Sequence, residues 1–314
     1  MSGKIDIGNP SEGGIQVMKF FGDKVVVLKE RAIYEVTGFS SNSPSQKLIV
    51  NEGINSEVVG RIFLTALVLF KKEYIKVTEI ERIIPLVNEI LSEIFVLEDD
   101  IQRYNVMEKK EIDDYELRRK NNEDFRLPSI LHLEPRCKAI VQRCDHLEQI
   151  LISILSIFYA GEKITKQSHF PTFVEIVKNK YGQNSQFYKA MDRITYFTTI
   201  IRELRNGLDH RLSTVTVSNF SQKPNNDILT PTIELKHKKA KLERISIYEF
   251  LKILTPNYLS IFEQIFVHLA SSFCAHPNVV AVGLIPESKK MYKYLDYSYV
   301  LKFGDMGEFY DQSF

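Results

Sequence analysis

The sequence predicts a mainly α protein with small β additions at the N-terminus, late in the chain and at the C-terminus. Two long stretches repeat apolar residues in alternating steps of four and three: Ile140, Cys144, Leu147, Leu151, Ile154, Phe158, and Phe187, Met191, Ile194, Thr198, Ile201, Leu204, Leu208. Such spacing stacks side chains on one face of a helix, and two such seams make natural bundle partners. Runs rich in Val, Ile, Tyr and Phe, broken by Gly, Asn, Ser and Pro, fall in residues 15–50 and again after 278; these read as strands.

Residues 1–14 are rich in Gly, Ser, Asn and Pro and are expected to be mobile. Residues 15–20, 24–28 and 32–39 read as strands, with Gly22-Asp23 as a hairpin turn and residues 40–45 as a loop. Ser56 is positioned to cap a helix through Phe70, and Thr78 with Glu81 has the spacing of a capping box. Pro85 then kinks or restarts that helix, whose apolar pattern runs to Val96. Residues 98–126 are densely charged and read as a solvated helix or an exposed connection. Pro135 suits the first turn of the first seam helix, which Gly161 closes; Pro171 and Gly182 bracket a shorter helix. The second seam helix follows. Beyond it, residues 212–217 and 232–235 read as short strands around a loop at 218–227. Ser246 and Glu249 form a second capping box before the last long helix, which Pro256 breaks once and His276-Pro277 ends. The tail holds a strand at 279–285 and a tyrosine-rich run at 291–303, expected to pair with the N-terminal strands because two isolated hairpins would be marginal. Three segments result: a β-rich 1–54, a helical domain at 55–276 with its core at about 129–276, and a β-rich tail at 277–314.

A formal charge of +1 in 314 residues means that any nucleic-acid surface must be a local patch. Cys137, Cys144 and Cys274 are an odd number without a CxxC, which fits free thiols in a reducing compartment. No apolar run reaches 18 residues and the first residues carry no signal-peptide core, so a cytoplasmic protein without a membrane span is expected. P-loop, GxGxxG, GxSxG and HExxH motifs are absent, and the seven His lack zinc spacing, so neither a metal nor a cofactor is called for.

The second seam helix ends in Arg205-Asn206-Gly207-Leu208-Asp209-His210. Arg205 and His210 are five apart, about 140° around a helix, so they do not stack but can border one cleft. A guanidinium grips phosphate with a bidentate fork, and an imidazole moves protons near neutrality. RNA supplies its own nucleophile, the 2′-OH, so such a pair suffices for metal-free cleavage. Gly207 weakens a helix interior by roughly 1 kcal/mol relative to Ala, which suits a helix end or a close backbone approach.

Arg205-Asn206-x-x-x-His210 at the end of an amphipathic helix resembles the R-N-x-x-x-H signature of the HEPN superfamily, over residues 129–276. The resemblance implies a helical bundle that dimerises, and a composite, metal-independent ribonuclease site at the dimer axis. Its setting would be a toxin or anti-phage system, with RNA as substrate and an antitoxin or regulatory protein as a further partner. It assigns His210 to acid–base catalysis, Arg205 to the phosphate and Asn206 to positioning. It also suggests an acidic helper on the earlier helix, Glu148 or Asp145. The HEPN toxins paired with nucleotidyltransferase antitoxins carry a Tyr two residues after the His; here Leu212 stands there, which disfavours that subgroup. Arg202, Arg211 and the basic cluster Lys236, His237, Lys238, Lys239 and Lys241 are candidate RNA contacts, with Lys238, Lys239 and Lys241 foremost. The rival reading is a non-catalytic HEPN-like module for dimerisation or partner binding.

Overall fold

The computed structural model describes residues 6–21, 24–38, 44–121, 123, 126–165, 168–224, 227–302 and 308–310. Helices hold about 52% of the chain and the remainder includes several small sheets, a mainly α protein with β additions.

Strands β1 (Ile15–Phe21), β2 (Lys24–Lys29), β3 (Ile33–Thr37) and β4 (Ser45–Val50) form an antiparallel sheet in sequence order. The predicted turn at Gly22-Asp23 and residues 40–43 of the predicted loop lie outside the described residues. Within the segment expected to be mobile, residues 6–14 are instead fastened to this sheet. Ile7 joins the core of Val25, Val27 and Val36. The buried Lys29 ammonium donates to the carbonyls of Ile7 (2.9 Å) and Asn9 (2.6 Å) and meets the Glu12 carboxylate at 3.2 Å. Tyr34 donates to the same carboxylate at 2.7 Å. Composition suggested a loose leader because it cannot show that a lysine from β2 will need those carbonyls; a buried charge is tolerated only when paired.

The predicted helix after Ser56 is wound as a π-helix over Val59–Leu64 before becoming α1 (Thr65–Leu69). The Thr78/Glu81 capping box is not formed. A 3-10 turn at Ile80–Arg82 precedes α2 (Ile83–Lys120), and Pro85 sits in its first turn, where the missing N–H costs no intrahelical bond. Of the two readings of the charged stretch after residue 98, helix holds: α2, 38 residues in all, continues through it to Lys120, with Tyr104 and Tyr115 buried.

The seam helices are α3 (Leu133–Phe158) and, after α4 (Phe170–Tyr181), α5 (Gln186–His210). Ser185 caps α5 by accepting from the Tyr188 N–H, and Gly182 closes α4 at φ 80. Seam residues of both helices are buried; Phe187 at the start of α5 is partly exposed. Cys137 and Cys144 are buried free thiols on α3. Next come β5 (Val215–Ser218), β6 (Ser221–Gln222), β7 (Ile228–Leu229), β8 (Thr232–His237) and β9 (Ala240–Ser246). The predicted loop at 218–227 is thus not all loop, since β6 within it pairs with β7. Strands β5, β8 and β9 make an antiparallel sheet in that order. Ser246 caps α6 (Ile247–Lys252), and the break before α7 (Leu254–Ser272) falls at Ile253, with Pro256 in the first turn of α7. The tail strands β10 (Val280–Leu284), β11 (Tyr297–Lys302) and β12 (Glu308–Tyr310) pair with one another rather than with the N-terminal strands.

Two compact units result, and they cut the chain elsewhere than at 54/55 and 276/277. One comprises residues 1–92, 153–161 and 259–314. Its core holds Phe70 against Phe158 and Phe266, with centroids 5.4 and 5.1 Å apart, and Tyr299, whose hydroxyl donates to the Leu69 carbonyl at 2.8 Å. The other comprises residues 93–152 and 162–258 and contains every candidate site residue. There Tyr258 donates to the Cys144 carbonyl at 2.7 Å and packs its ring 5.5 Å from Phe197.

Gly207 is where strand meets helix. A Cβ on it would lie 2.2 Å from Val215 Cγ2 and 3.0 Å from Val215 Cβ. The glycine therefore serves close approach, and α5 continues past it to His210. Gly207→Ala should lower stability by about 1–2 kcal/mol, because overpacking of about 1–3 kcal/mol outweighs the helix propensity gained. Urea unfolding checks this, and Val215→Ala in the same chain should recover most of the loss.

Candidate active site

Helix α5 carries a polar stripe, Arg202, Arg205 and Asp209, in steps of three and four, on the side that meets α3. Asp209 Oδ1 receives Gln142 Nε2 at 2.9 Å and Lys138 Nζ at 3.0 Å, and its Oδ2 lies 3.0 Å from Arg205 Nε. Arg205 Nε also lies 3.8 Å from Asp145 Oδ2, and its Nη1 donates to Asn206 Oδ1 at 3.1 Å. As numbers rise along α3 they fall along α5, so the two helices run antiparallel along this ladder. Burial raises the Asp209 carboxyl, but the Lys138 hydrogen bond and the Arg205 charge overcome it and hold the group below its ordinary value. The Arg205 guanidinium is half-buried and oriented from three sides.

One turn further along α3, Glu148 is 2% exposed. Its Oε1 accepts the Phe170 N–H at 2.9 Å and lies 3.8 Å from His169 Nδ1. Gln149 Nε2 is 3.4 Å from the same His169 nitrogen. Burial pushes the Glu148 carboxyl up to about 7, against the Phe170 hydrogen bond and the Arg202 charge. Burial and the nearby Arg202 lower the His169 imidazole. Below neutral pH Glu148 is therefore held largely in its uncharged form, and the charged form of His169 is disfavoured beside it. Asp145 Oδ1 and Glu148 Oε2 are buried and have no hydrogen-bond partner among the described residues.

His210 occupies the last turn of α5, exposed and without a side-chain hydrogen bond among the described residues. It lies about 140° around the helix from Arg205, which α3 holds on its own side. Within one chain the two side chains do not close on a common hydrogen-bonded centre. Seven residues before His210, on the same face, Glu203 is buried with its Oε2 3.3 Å from His237 Nδ1 and its Oε1 3.9 Å from Lys239 Nζ. Tyr196 donates to the Lys241 carbonyl at 2.9 Å, and the Lys236 N–H donates to the Thr214 carbonyl at 2.8 Å. The β8–β9 hairpin, with its basic cluster, thus lies across the α5 face that carries His210.

No family model matches this chain, and neither curated proteins nor solved structures give a match.

The cluster is partly neutralised. Lys236 pairs with Glu234 at 2.7 Å, Lys241 with Glu243 at 2.5 Å and Lys239 with Glu203, while Lys238 is exposed and unpaired among the described residues. Arg202 and Arg211 likewise form no ion pair among the described residues. Of the two acidic helpers, Asp145 approaches Arg205 whereas Glu148 sits with His169. Sequence reading missed Lys138, Gln142, His169 and the Glu203–His237 contact. The step-of-four spacing of Lys138, Gln142 and His146 was legible, with Asp145 beside it, but His146 turns instead to Glu93 at 3.3 Å. His169 carried no local signal, being the extended residue before α4.

A carboxyl protonated in the fold to about pH 7, yet ionising near 4.5 once unfolded, makes folding take up a proton. Its stabilisation is complete below about pH 4.5 and is lost as pH rises through 7. The change across that window is on the order of 3 kcal/mol. Glu148→Gln should flatten the dependence of the urea midpoint on pH between 4.5 and 7.5 and equal or exceed the parent at pH 8.

Proposed function

We propose that this chain is a HEPN-like, metal-independent endoribonuclease of a toxin or anti-phage system, acting as a homodimer in the cytoplasm. The observation that carries the reading is an oriented guanidinium and an unencumbered imidazole in the last two turns of one helix, Arg205 held by Asp209, Asp145 and Asn206, and His210 free. Because the two point to different sides of α5, the reading places them in one site through a two-fold pairing of chains, which would set His210 of each copy toward a phosphate gripped by Arg205 of the other. His210 takes the proton from the 2′-OH as the 2′-oxygen attacks phosphorus. Arg205 neutralises the pentavalent phosphorane, and the 5′-oxygen leaves with the proton that the His210 imidazolium gives back, so that a 2′,3′-cyclic phosphate and a 5′-hydroxyl form and the imidazole is restored. Asn206 fixes the Arg205 fork. Arg202 and Arg211, with Lys238, Lys239 and Lys241, supply attraction for the flanking backbone. An antitoxin or regulatory partner belongs to the same proposal.

The non-catalytic alternative is favoured by one observation, the Arg205–Asp209 and Arg205–Asp145 pairs, which a purely structural arginine would also make. Activity separates the two. Purified protein should cleave single-stranded RNA in EDTA and leave DNA intact. His210→Ala should lower the rate by ~100- to 10,000-fold with the fold retained. Arg205→Lys should fail largely, since it keeps the charge without the fork. Cleavage that persists in His210→Ala, or that needs a divalent ion, rules the mechanism out. Light scattering should give twice the chain mass at micromolar concentration; an active monomer refutes the shared site. Replacing Lys238, Lys239 and Lys241 by Ala should reduce the salt slope of RNA binding by up to about one for each phosphate that these lysines neutralise.

A further inference from the structure

A cleft of about 550 Å³ opens at the C-terminal end of α5. The last turns of α5 make one wall, through Gly207, Leu208, Arg211 and Leu212. The first turn of α3 brings Glu134 and Pro135, and β5 brings Val215 and Val217. Gly207 lets β5 pass so close that no side chain intrudes from the helix at that point. Arg211 takes the left-handed conformation at φ 51, where the N–H groups of Arg211 and Leu212 both return to the Gly207 carbonyl. That cap reverses the chain and sets the guanidinium beside the cleft.

Its charges are unusual for their surroundings. A few residues away Lys138, Arg205 and Asp209 satisfy one another. Glu134 and Arg211 are both exposed, and neither forms an ion pair among the described residues, with each other or with anything else. A cleft of mixed polar and apolar lining thus carries one unspent acceptor pair on the α3 side and one unspent donor fork on the α5 side.

We propose that this cleft is a guanine site, seating a base beside the phosphate at the motif turn. Its place in catalysis rests on the ribonuclease reading; the binding itself does not. Guanine alone among the four bases offers two adjacent N–H donors, N1 and N2, on one edge, and two adjacent acceptors, O6 and N7, on the next. A carboxylate takes the first pair and a guanidinium the second. Adenine and uracil offer neither pair and cytosine only adjacent acceptors, O2 and N3, so each leaves Glu134, Arg211 or both poorly matched. The apolar lining residues Pro135, Leu212, Val215 and Val217 offer surface for the faces of a planar ring.

Calorimetric titration of the full chain with the 3′-monophosphates of guanosine, adenosine, cytidine and uridine, at one ionic strength, tests this. Guanosine 3′-monophosphate should bind at least about tenfold more tightly than the others, since a well-formed bidentate base contact discriminates by about 5- to 150-fold. Glu134→Gln and Arg211→Lys should each abolish most of the preference while the melting temperature stays near that of the parent, as both side chains are exposed. If Arg211 held only phosphate, its replacement would weaken all four ligands equally. Equal affinities, no binding of any nucleotide at millimolar concentration, or a preference that survives both substitutions overturns the proposal. Guanosine-selective binding by a chain that cleaves no RNA would keep the guanine site and remove the ribonuclease reading, so the two fail separately.

Discussion

The pair between Arg205 and Asp209 is the contact on which the motif end of the molecule depends. Alone, an i,i+4 ion pair on a helix is worth a few tenths of a kcal/mol. Here it is drawn into a larger arrangement, because Asp209 also receives Lys138 and Gln142 from α3 and Arg205 also approaches Asp145. The carboxylate is thereby the point at which the last turn of α5 is fixed to the first half of α3. Beside it lie the left-handed cap at Arg211, the passage of β5 over Gly207, and the β8–β9 hairpin across another face of α5.

That arrangement divides α5 into two chemically different faces. One, toward α3, is a ladder of paired charges that grades into a buried region where Glu148 and His169 meet without full charge. The other, toward the hairpin, carries the buried Glu203 beside His237 and ends in the exposed His210. A helix of 25 residues thus presents a fixed guanidinium on one side and an exposed imidazole at its end. The Arg205/His210 spacing, which looks like a single unit in the sequence, corresponds in the fold to two groups separated by the helix itself.

Much of this was legible from residue spacing. The four-three rhythm of α3 and α5, the Ser246 cap and the Gly182 stop each appear where local physics puts them, because these features are set by neighbours in sequence. What was not legible depended on distant partners. The capping box at Thr78 lost to the 3-10 turn before Pro85. The tail strands pair with one another, and β11 is also held through Tyr299 to α1, a contact 230 residues away in sequence. At the site, Arg205 and His210 were readable as residues about 140° apart on one helix, but the carboxylates that hold the guanidinium, Asp209 and Asp145, were fixed only by the packing of α5 on α3.

The Lys29 ammonium has a wider consequence. It is a buried cation whose oxygen ligands are two carbonyls and a carboxylate from residues 7–12, a segment with the composition of a linker. The two carbonyls come from the backbone whatever side chains stand there, but Ile7 also fills the sheet core, Gly8 sits at φ 62 and Glu12 supplies its own carboxylate, so the path is fixed by side chains as well as by the main chain. Removing the segment would leave the charge stranded under the sheet. Residues 7–12 therefore behave as an electrostatic plug that does not tolerate trimming, and any tag or fusion must begin upstream of them.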